Sequence, residues 1–176
     1  MGLLSRRVAA LGPGDFHAAV RWVHGLPYGR NTDRADYTLV LAERRGTCST
    51  KHALLAALAR DAQLDVRLRA GVFLMSDANT PGVTAALRAH GLSRVPEAHT
   101  FLAAGNARLD VTFPGSDGTC SLAFECERDL APEDIGAVKL GWHRAFIDRW
   151  ARTEGVDPRK AWAAREACIA ALGSRT

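Results

Sequence analysis

The chain has 176 residues, 47% of them hydrophobic and 24% charged, with a formal net charge of +4, the make-up of one ordinary globular domain that can bury a core without disulfide or metal staples. No apolar run approaches bilayer-spanning length, and the arginines are interspersed with acids rather than gathered in a block, which argues against a membrane span and against nucleic acid as a partner. Cys48, Cys120, Cys126 and Cys168 match neither a CxxC redox pair nor a zinc framework, so reduced thiols are expected and no metal or cofactor.

The stretch MGLLSRRVAALGPG lacks the apolar run and small-residue cleavage site of a secretory signal, and has no Ser or Thr at its sixth position for myristoylation. The expected location is therefore cytoplasmic. With no repeat, low-complexity tract or long linker, residues 1–176 are expected to form one domain.

Asp15 is placed to cap a helix over FHAAVRWVHG, with Phe16, Val20 and Val23 on one face, and LPYGRN then breaks it. A second helical run, ADYTLVLAERR, is expected to end at Gly46 as the permissive residue past its last turn. Thr47 is the N-cap expected for a third helix, with Leu55, Leu58 and Ala62 as its apolar stripe and Cys48 as its first residue. After a break at Gln63, DVRLRAGVFLM reads as a strand entering the core, and GVTAALRAHG as a short helix.

EAHTFLAAGNARLDVTFP reads as a hairpin turning at Gly105-Asn106, where Gly suits the first central position of a type II′ turn. SLAFECE is expected to be a further strand, with Cys120 and Cys126 as core-facing strand thiols. The C-terminal part, 132–173, is helical: Trp142, Phe146 and Trp150 are spaced at four, and a last helix opens at Asp157-Pro158 and closes at Gly173. Trp142, Trp150 and Trp162 are expected to pack these helices onto the sheet. The order of elements gives an α+β fold.

Cys48 raises the question of function. A thiol on the first turn of a helix faces unpaired backbone N–H groups and the positive end of the helix dipole, both of which favour the thiolate, and the same amides can bind an oxyanion. A thiolate enzyme also needs an oriented base. With a two-residue loop at 105–106, His99 pairs across from Thr112 and Asp110 from Phe101, so His99 and Asp110 are diagonal neighbours on one face. His52, one turn from Cys48 on the same helix face, is the rival base but is better suited to lining the pocket. Lys51 is either a solvated charge or an ammonium that helps to hold the thiolate. His17, His24, His90 and His143 have no acid placed to orient them and read as surface or satisfied core residues.

RRGTCSTKH with its following Ala/Leu helix, the strand VRLRAGVF, then AHTFL and RLDVTFP resemble, over residues 44–114, the transglutaminase-like superfamily of cysteine enzymes. The resemblance implies a papain-like core, with the Cys-bearing helix packed on an antiparallel sheet and additional N- and C-terminal helices around it. It also implies a Cys48-His99-Asp110 triad acting on an amide, ester or thioester carbonyl of a peptide or small acyl substrate. Water as acceptor would make the protein a hydrolase, an amine an acyltransferase. Phe101 stands where many members carry a Trp two residues after the histidine, and Tyr28 in LPYGRN is the candidate to complete the oxyanion hole. Tyr28, Lys51, His52 and Phe101 are thus the expected substrate-binding residues. The alternative is an inactive relative that uses the same cleft to bind a peptide or small ligand.

Overall fold

The computed structural model describes residues 2–174, so Met1, Arg175 and Thr176 of the expected 1–176 unit lie outside the described residues. In chain order it forms α1 (Leu3–Ala9), α2 (Phe16–His24), α3 (Leu39–Glu43), α4 (Cys48–Asp61), β1 (Arg67–Met75), α5 (Thr84–Ala89), β2 (Val95–Ala104), β3 (Ala107–Leu109), β4 (Cys126–Leu130), a 3₁₀ turn over Pro132–Ile135, α6 (Ala137–Thr153) and α7 (Pro158–Gly173). The four strands make one antiparallel sheet in the order β3-β2-β1-β4. This is an α+β architecture. Among the described residues no helix is long and apolar enough to cross a membrane.

Alternation along the strands divides the apolar residues between two packing layers. Leu68, Ala70, Leu102 and Leu130 share a core with α4 and α2, whereas Phe73, Met75 and Val95 join Ile147 of α6 and Ile169 of α7. Helix α4 lies at the centre of the first layer and is buried on every side from Thr50 to Ala59. The expected stripe of Leu55, Leu58 and Ala62 understates this, and Ala62 itself is exposed just beyond the helix end. An Ala/Leu helix flanked by α1, α2, α3 and the sheet has no polar face to present.

Several local expectations hold. Asp15 accepts a bond from the Ala18 N–H at the start of α2, and Asp157 one from the Arg159 N–H at the start of α7. Residues 105–106 form the two-residue turn, with Gly105 alone of the pair at positive φ (+55°), as a type II′ turn requires.

Others are corrected. The run ADYTLVLAERR is helical only over Leu39–Glu43, because Asp36 Oδ1 takes bonds from both the N–H and the hydroxyl of Thr38 and holds the first residues in a turn. Arg44, not Gly46, adopts the left-handed conformation that ends the helix. Gly46 serves close approach instead: a Cβ there would lie 2.9 Å from Lys51 Cγ and Thr50 Oγ1 and 3.0 Å from Val40 Cγ2.

SLAFECE is a loop over most of its length, and the pairing strand is Cys126–Leu130. Phe124 there leaves the ladder to stack its ring on Phe101, with centroids 5.3 Å apart. Cys120 is a buried loop residue rather than a strand residue. On α6 the buried face is Lys139, His143, Ile147 and Ala151, one position on from the expected Trp142, Phe146 and Trp150. Trp142, Trp150 and Trp162 still pack against the two core clusters as expected, half-buried, and the rings of Trp142, Phe146 and Trp162 also lie under the guanidinium groups of Arg128, Arg149 and Arg144 respectively.

Candidate active site

The segment before α4 determines where its first residue points. Tyr28 and Gly46 form an isolated parallel bridge, the Gly29 N–H donates to Gly46 O (3.1 Å), and the Gly46 N–H donates to Pro27 O (3.3 Å). Thr47 caps the helix, its N–H donating to Thr50 Oγ1 at 3.0 Å while the Thr50 hydroxyl donates to Asn31 Oδ1 at 2.7 Å. The first-turn amides of α4, at Cys48 and Ser49, then have no acceptor within the helix.

His99 comes from the middle of β2, opposite Gly71 of β1. The β2–β3 ladder stops at Leu102↔Leu109, and beyond it the Asp110 N–H donates to Gly118 O instead (2.8 Å). The side-chain parity set by the turn survives this departure: His99 Nε2 donates to Asp110 Oδ2 at 2.7 Å. Asp110 Oδ1 in turn accepts from the Thr112 N–H at 2.9 Å, which fixes the carboxylate. With Nε2 engaged, Nδ1 is the ring nitrogen left to face Cys48, and the two side chains lie close enough for their charges to act on each other.

The electrostatics follow from these contacts. Burial opposes ionisation of Cys48, but the His99 charge, its hydrogen bond and the Lys139 ammonium outweigh burial and bring the thiol down to about 6 from an ordinary 9.0. Burial likewise opposes the His99 imidazolium, and the thiolate together with Asp110 raises its pKa well above 6.5. Asp110 is held below the usual carboxylate range against its own burial, chiefly by the hydrogen bond and charge of His99. These directions favour a thiolate at Cys48 and an imidazolium at His99, beside an ionised Asp110.

The expected substrate-binding residues divide. Tyr28 lines the site: its ring packs 4.9 Å from that of Phe113, it borders both cavities at Cys48, and burial raises its phenol above the ordinary 10, so it stays a neutral group able to donate. The other three do not line it. Phe101 is fully buried under Phe124, because its β2 position faces β1 and the folded-back 120s loop. Lys51 is fully buried and donates to Leu26 O (2.6 Å), Thr112 O (2.9 Å) and Val111 O (3.2 Å).

His52 is buried as well. Its Nδ1 donates to Cys48 O at 2.7 Å and its Nε2 accepts from the Val111 N–H at 2.9 Å. Burial lowers its pKa to about 4, so it is neutral and both nitrogens are committed. It can neither act as base nor touch a substrate. Lys51 and His52 instead fasten residues 111–112, and with them Asp110, to the helix that carries Cys48. The TKH after the cysteine was the signal for this, but only the fold shows which carbonyls and amides those side chains meet.

Other histidines and acids also take defined places. His143 Nε2 bonds Pro96 O at 3.0 Å and lies 4.0 Å from a carboxylate oxygen of Glu97, so an acid does sit near it, contrary to expectation. Glu97, two residues before His99, receives two parallel N–H bonds from Arg165 of α7 (2.5 and 2.8 Å). No sequence pattern links residues 97 and 165. His24 Nε2 bonds Phe113 O (3.0 Å) and the Ser116 hydroxyl (2.9 Å).

Cys48 is 8% exposed and stands between two cavities. The larger, of about 590 Å³, holds His99 and Asp110 and is walled mainly by Phe73, Met75, Phe113 and Leu122. The smaller, of about 70 Å³, is bounded by the first turn of α4 and by Lys139, His143 and Arg165.

No protein-family model, curated protein or solved structure matches the chain. The site must therefore be read from its own chemistry. Among the described residues one grouping could close on a metal: a ring nitrogen of His99, a carboxylate oxygen of Asp110 and Cys120 Sγ lie within 4.8 Å of one another. Two of these residues, His99 and Asp110, already share a 2.7 Å hydrogen bond, and burial raises the Cys120 pKa, which disfavours its thiolate. The His99–Asp110 hydrogen bond suits proton transfer.

Proposed function

We propose that the protein is a cysteine-dependent hydrolase or acyltransferase with a transglutaminase-like, papain-like core, acting in a reducing, cytoplasmic setting on an amide, ester or thioester carbonyl. One observation carries the reading: a thiol on the first residue of a buried helix, brought to about 6 by an imidazole that a carboxylate orients at 2.7 Å. Of the four cysteines, Cys48 has its pKa lowered, whereas burial raises those of Cys120, Cys126 and Cys168.

In this mechanism Cys48 Sγ bonds to the carbonyl carbon and the carbonyl π pair moves to oxygen, where the first-turn amides of α4 and the Tyr28 hydroxyl receive the oxyanion. The tetrahedral species collapses, the bond to the leaving group breaks, and His99 Nδ1 supplies the proton that the departing amine, alcohol or thiol requires. An acyl thioester remains on Cys48. Water or an amine then attacks it, gives its proton to His99, and releases the thiolate. Asp110 stays ionised throughout and holds the ring in place.

Alkylation by iodoacetamide at pH near 6 tests this. Cys48 should react much faster than the other three thiols, with the rate lost in Cys48→Ser and lowered in His99→Ala. Equal, slow labelling of all four would refute the enzyme reading and favour a binding module.

A further inference from the structure

The mechanism above uses only the wall of the smaller cavity formed by Tyr28 and the first turn of α4, and gives no role to its far wall of Lys139, His143 and Arg165. His99 borders the larger cleft and is absent from the walls of the smaller one, which lies on the other side of Cys48. Because the imidazole hands its proton to the leaving group, the leaving group occupies the larger cleft. The acyl part then extends toward the smaller cavity, past the first turn of α4.

The charges around that cavity do not balance. Both oxygens of Glu97 are taken by Arg165, and Glu166 takes Arg30 (2.8 Å) and the remaining Arg165 nitrogen (2.6 Å). His143 is neutral, lowered by burial to about 4. Lys139, from the first turn of α6, is only 7% exposed and lines the cavity, yet its ammonium makes no hydrogen bond and no ion pair within 4.0 Å among the described residues. Burial, helped by Arg165 and Arg34, lowers its pKa from the ordinary 10.5 against the opposing pull of the Cys48 and Glu97 charges, so an anion beside it would favour the ammonium. Arg34, exposed at the mouth, likewise has no carboxylate partner among the described residues.

A buried cation is costly unless something compensates it. The thiolate does so in part, but it is already paired with the His99 imidazolium. We propose that the smaller cavity is an anion subsite: Lys139, with Arg34 at the mouth, receives a carboxylate carried by the acyl part of the substrate. The claim rests on Cys48 as nucleophile and names the substrate class, a carboxylate-bearing acyl donor. Size limits that donor. At about 10–15 Å³ per water, the cavity of about 70 Å³ has room for about five to seven waters, enough for a short acidic group and not for a long chain.

The test compares iodoacetate with iodoacetamide on the full-length protein at pH near 6 and low ionic strength, with rates at Cys48 read by mass spectrometry. Both reagents react alike: the thiolate sulfur bonds to carbon, the carbon–iodine bond breaks and iodide leaves. Their rate ratio therefore cancels the thiolate content and isolates recognition of the carboxylate. The ratio at Cys48 should exceed that of free cysteine by about tenfold or more, the scale of a charge-assisted hydrogen bond. Lys139→Met should remove most of that excess and Lys139→Arg retain it. Arg34→Gln, on the surface and harmless to folding, should reduce the ratio severalfold. A wild-type ratio no higher than that of free cysteine, or one unchanged in Lys139→Met, overturns the subsite while leaving the nucleophile standing. Slow reaction of Cys48 with both reagents overturns the nucleophile and the subsite with it.

Discussion

Replacing Asp110 by Asn keeps the size of the side chain and removes the charge that orients His99. The amide oxygen can still accept from the Thr112 N–H, but the amide nitrogen then faces His99 Nε2, where the carboxylate had accepted a 2.7 Å bond. The neutral ring is driven to the tautomer with its proton on Nδ1, which leaves no lone pair to take the Cys48 proton. Loss of a charge-assisted bond at a site where the two side chains are 10% and 19% exposed should cost the imidazolium about 1.5–3 kcal/mol, which is about 1–2 pK units. The thiolate depends on that imidazolium, so its midpoint should climb from about 6 to about 7–8. The assay is the ultraviolet absorbance of the thiolate against pH, taken as the difference between each protein and its Cys48→Ser counterpart, with the alkylation rate followed in parallel. Because the pair titrates together, the midpoint belongs to the pair rather than to either group. A midpoint still at about 6 in Asp110→Asn would show that Asp110 does not orient the ring.

The remaining expectations concern the pH profile and the elements that support the site. Alkylation of Cys48, and turnover once a substrate is found, should rise through about 6 as the thiolate forms, and turnover should fall only at a pH well above 6.5 as His99 loses its proton; a turnover profile that keeps climbing past that point would exclude His99 as the acid. Lys51→Met leaves three buried carbonyl oxygens without their donor and should cost about 3 kcal/mol, seen in urea unfolding, together with an upward shift of the thiolate midpoint as the Asp110 segment loosens; wild-type stability would show that the ammonium is not what ties that segment down. Glu97 is lowered to about 2 from 4.5, against its burial, by Arg165, so its contribution of about 3 kcal/mol is present above pH 4.5 and lost as the pH falls through 2. Glu97→Gln should therefore flatten the acid limb of the stability curve, and an unchanged limb would refute the assignment. Gly71→Ala would place a Cβ 2.4 Å from the Phe124 ring and should cost about 1–3 kcal/mol by lifting that ring off Phe101; a neutral effect in thermal unfolding would mean that the 120s loop shifts freely.

What was readable in the sequence and what was not differ by the range of the interactions involved. Thr47 before Cys48 is a local capping signal, and the even turn at 105–106 fixes side-chain parity over a few residues, so the helix-start thiol and the His99–Asp110 pairing follow from short stretches. The parity holds even though the ladder stops at Leu109, because Asp110 needs only to emerge on the correct side. Where the chain departs from expectation, a tertiary partner decides. Lys51 and His52 look like pocket residues from their spacing to Cys48, and only the arrival of carbonyls and an amide from 26, 111 and 112 makes them structural. The burial of α6 is offset by one position from its aromatic series because arginines cover the rings and α7 brings Arg165 against Glu97.

The same contrast separates the two sides of Cys48. On the His99 side the cap and the turn are local signals, and the contacts of Lys51 and His52 with residues 111–112 join the two. The Lys139 side depends on two C-terminal helices folding back against the start of α4, where Lys139 shares a cavity with Cys48 and has no hydrogen-bond or ion-pair partner among the described residues. Reactivity and selectivity are therefore carried by different parts of the chain and should separate under mutation. Changes at Asp110 should move the thiolate midpoint and slow both alkylating reagents equally, whereas changes at Arg34 should alter the preference between them with the midpoint nearly fixed. A variant at Arg34 that slowed both reagents alike would refute that division.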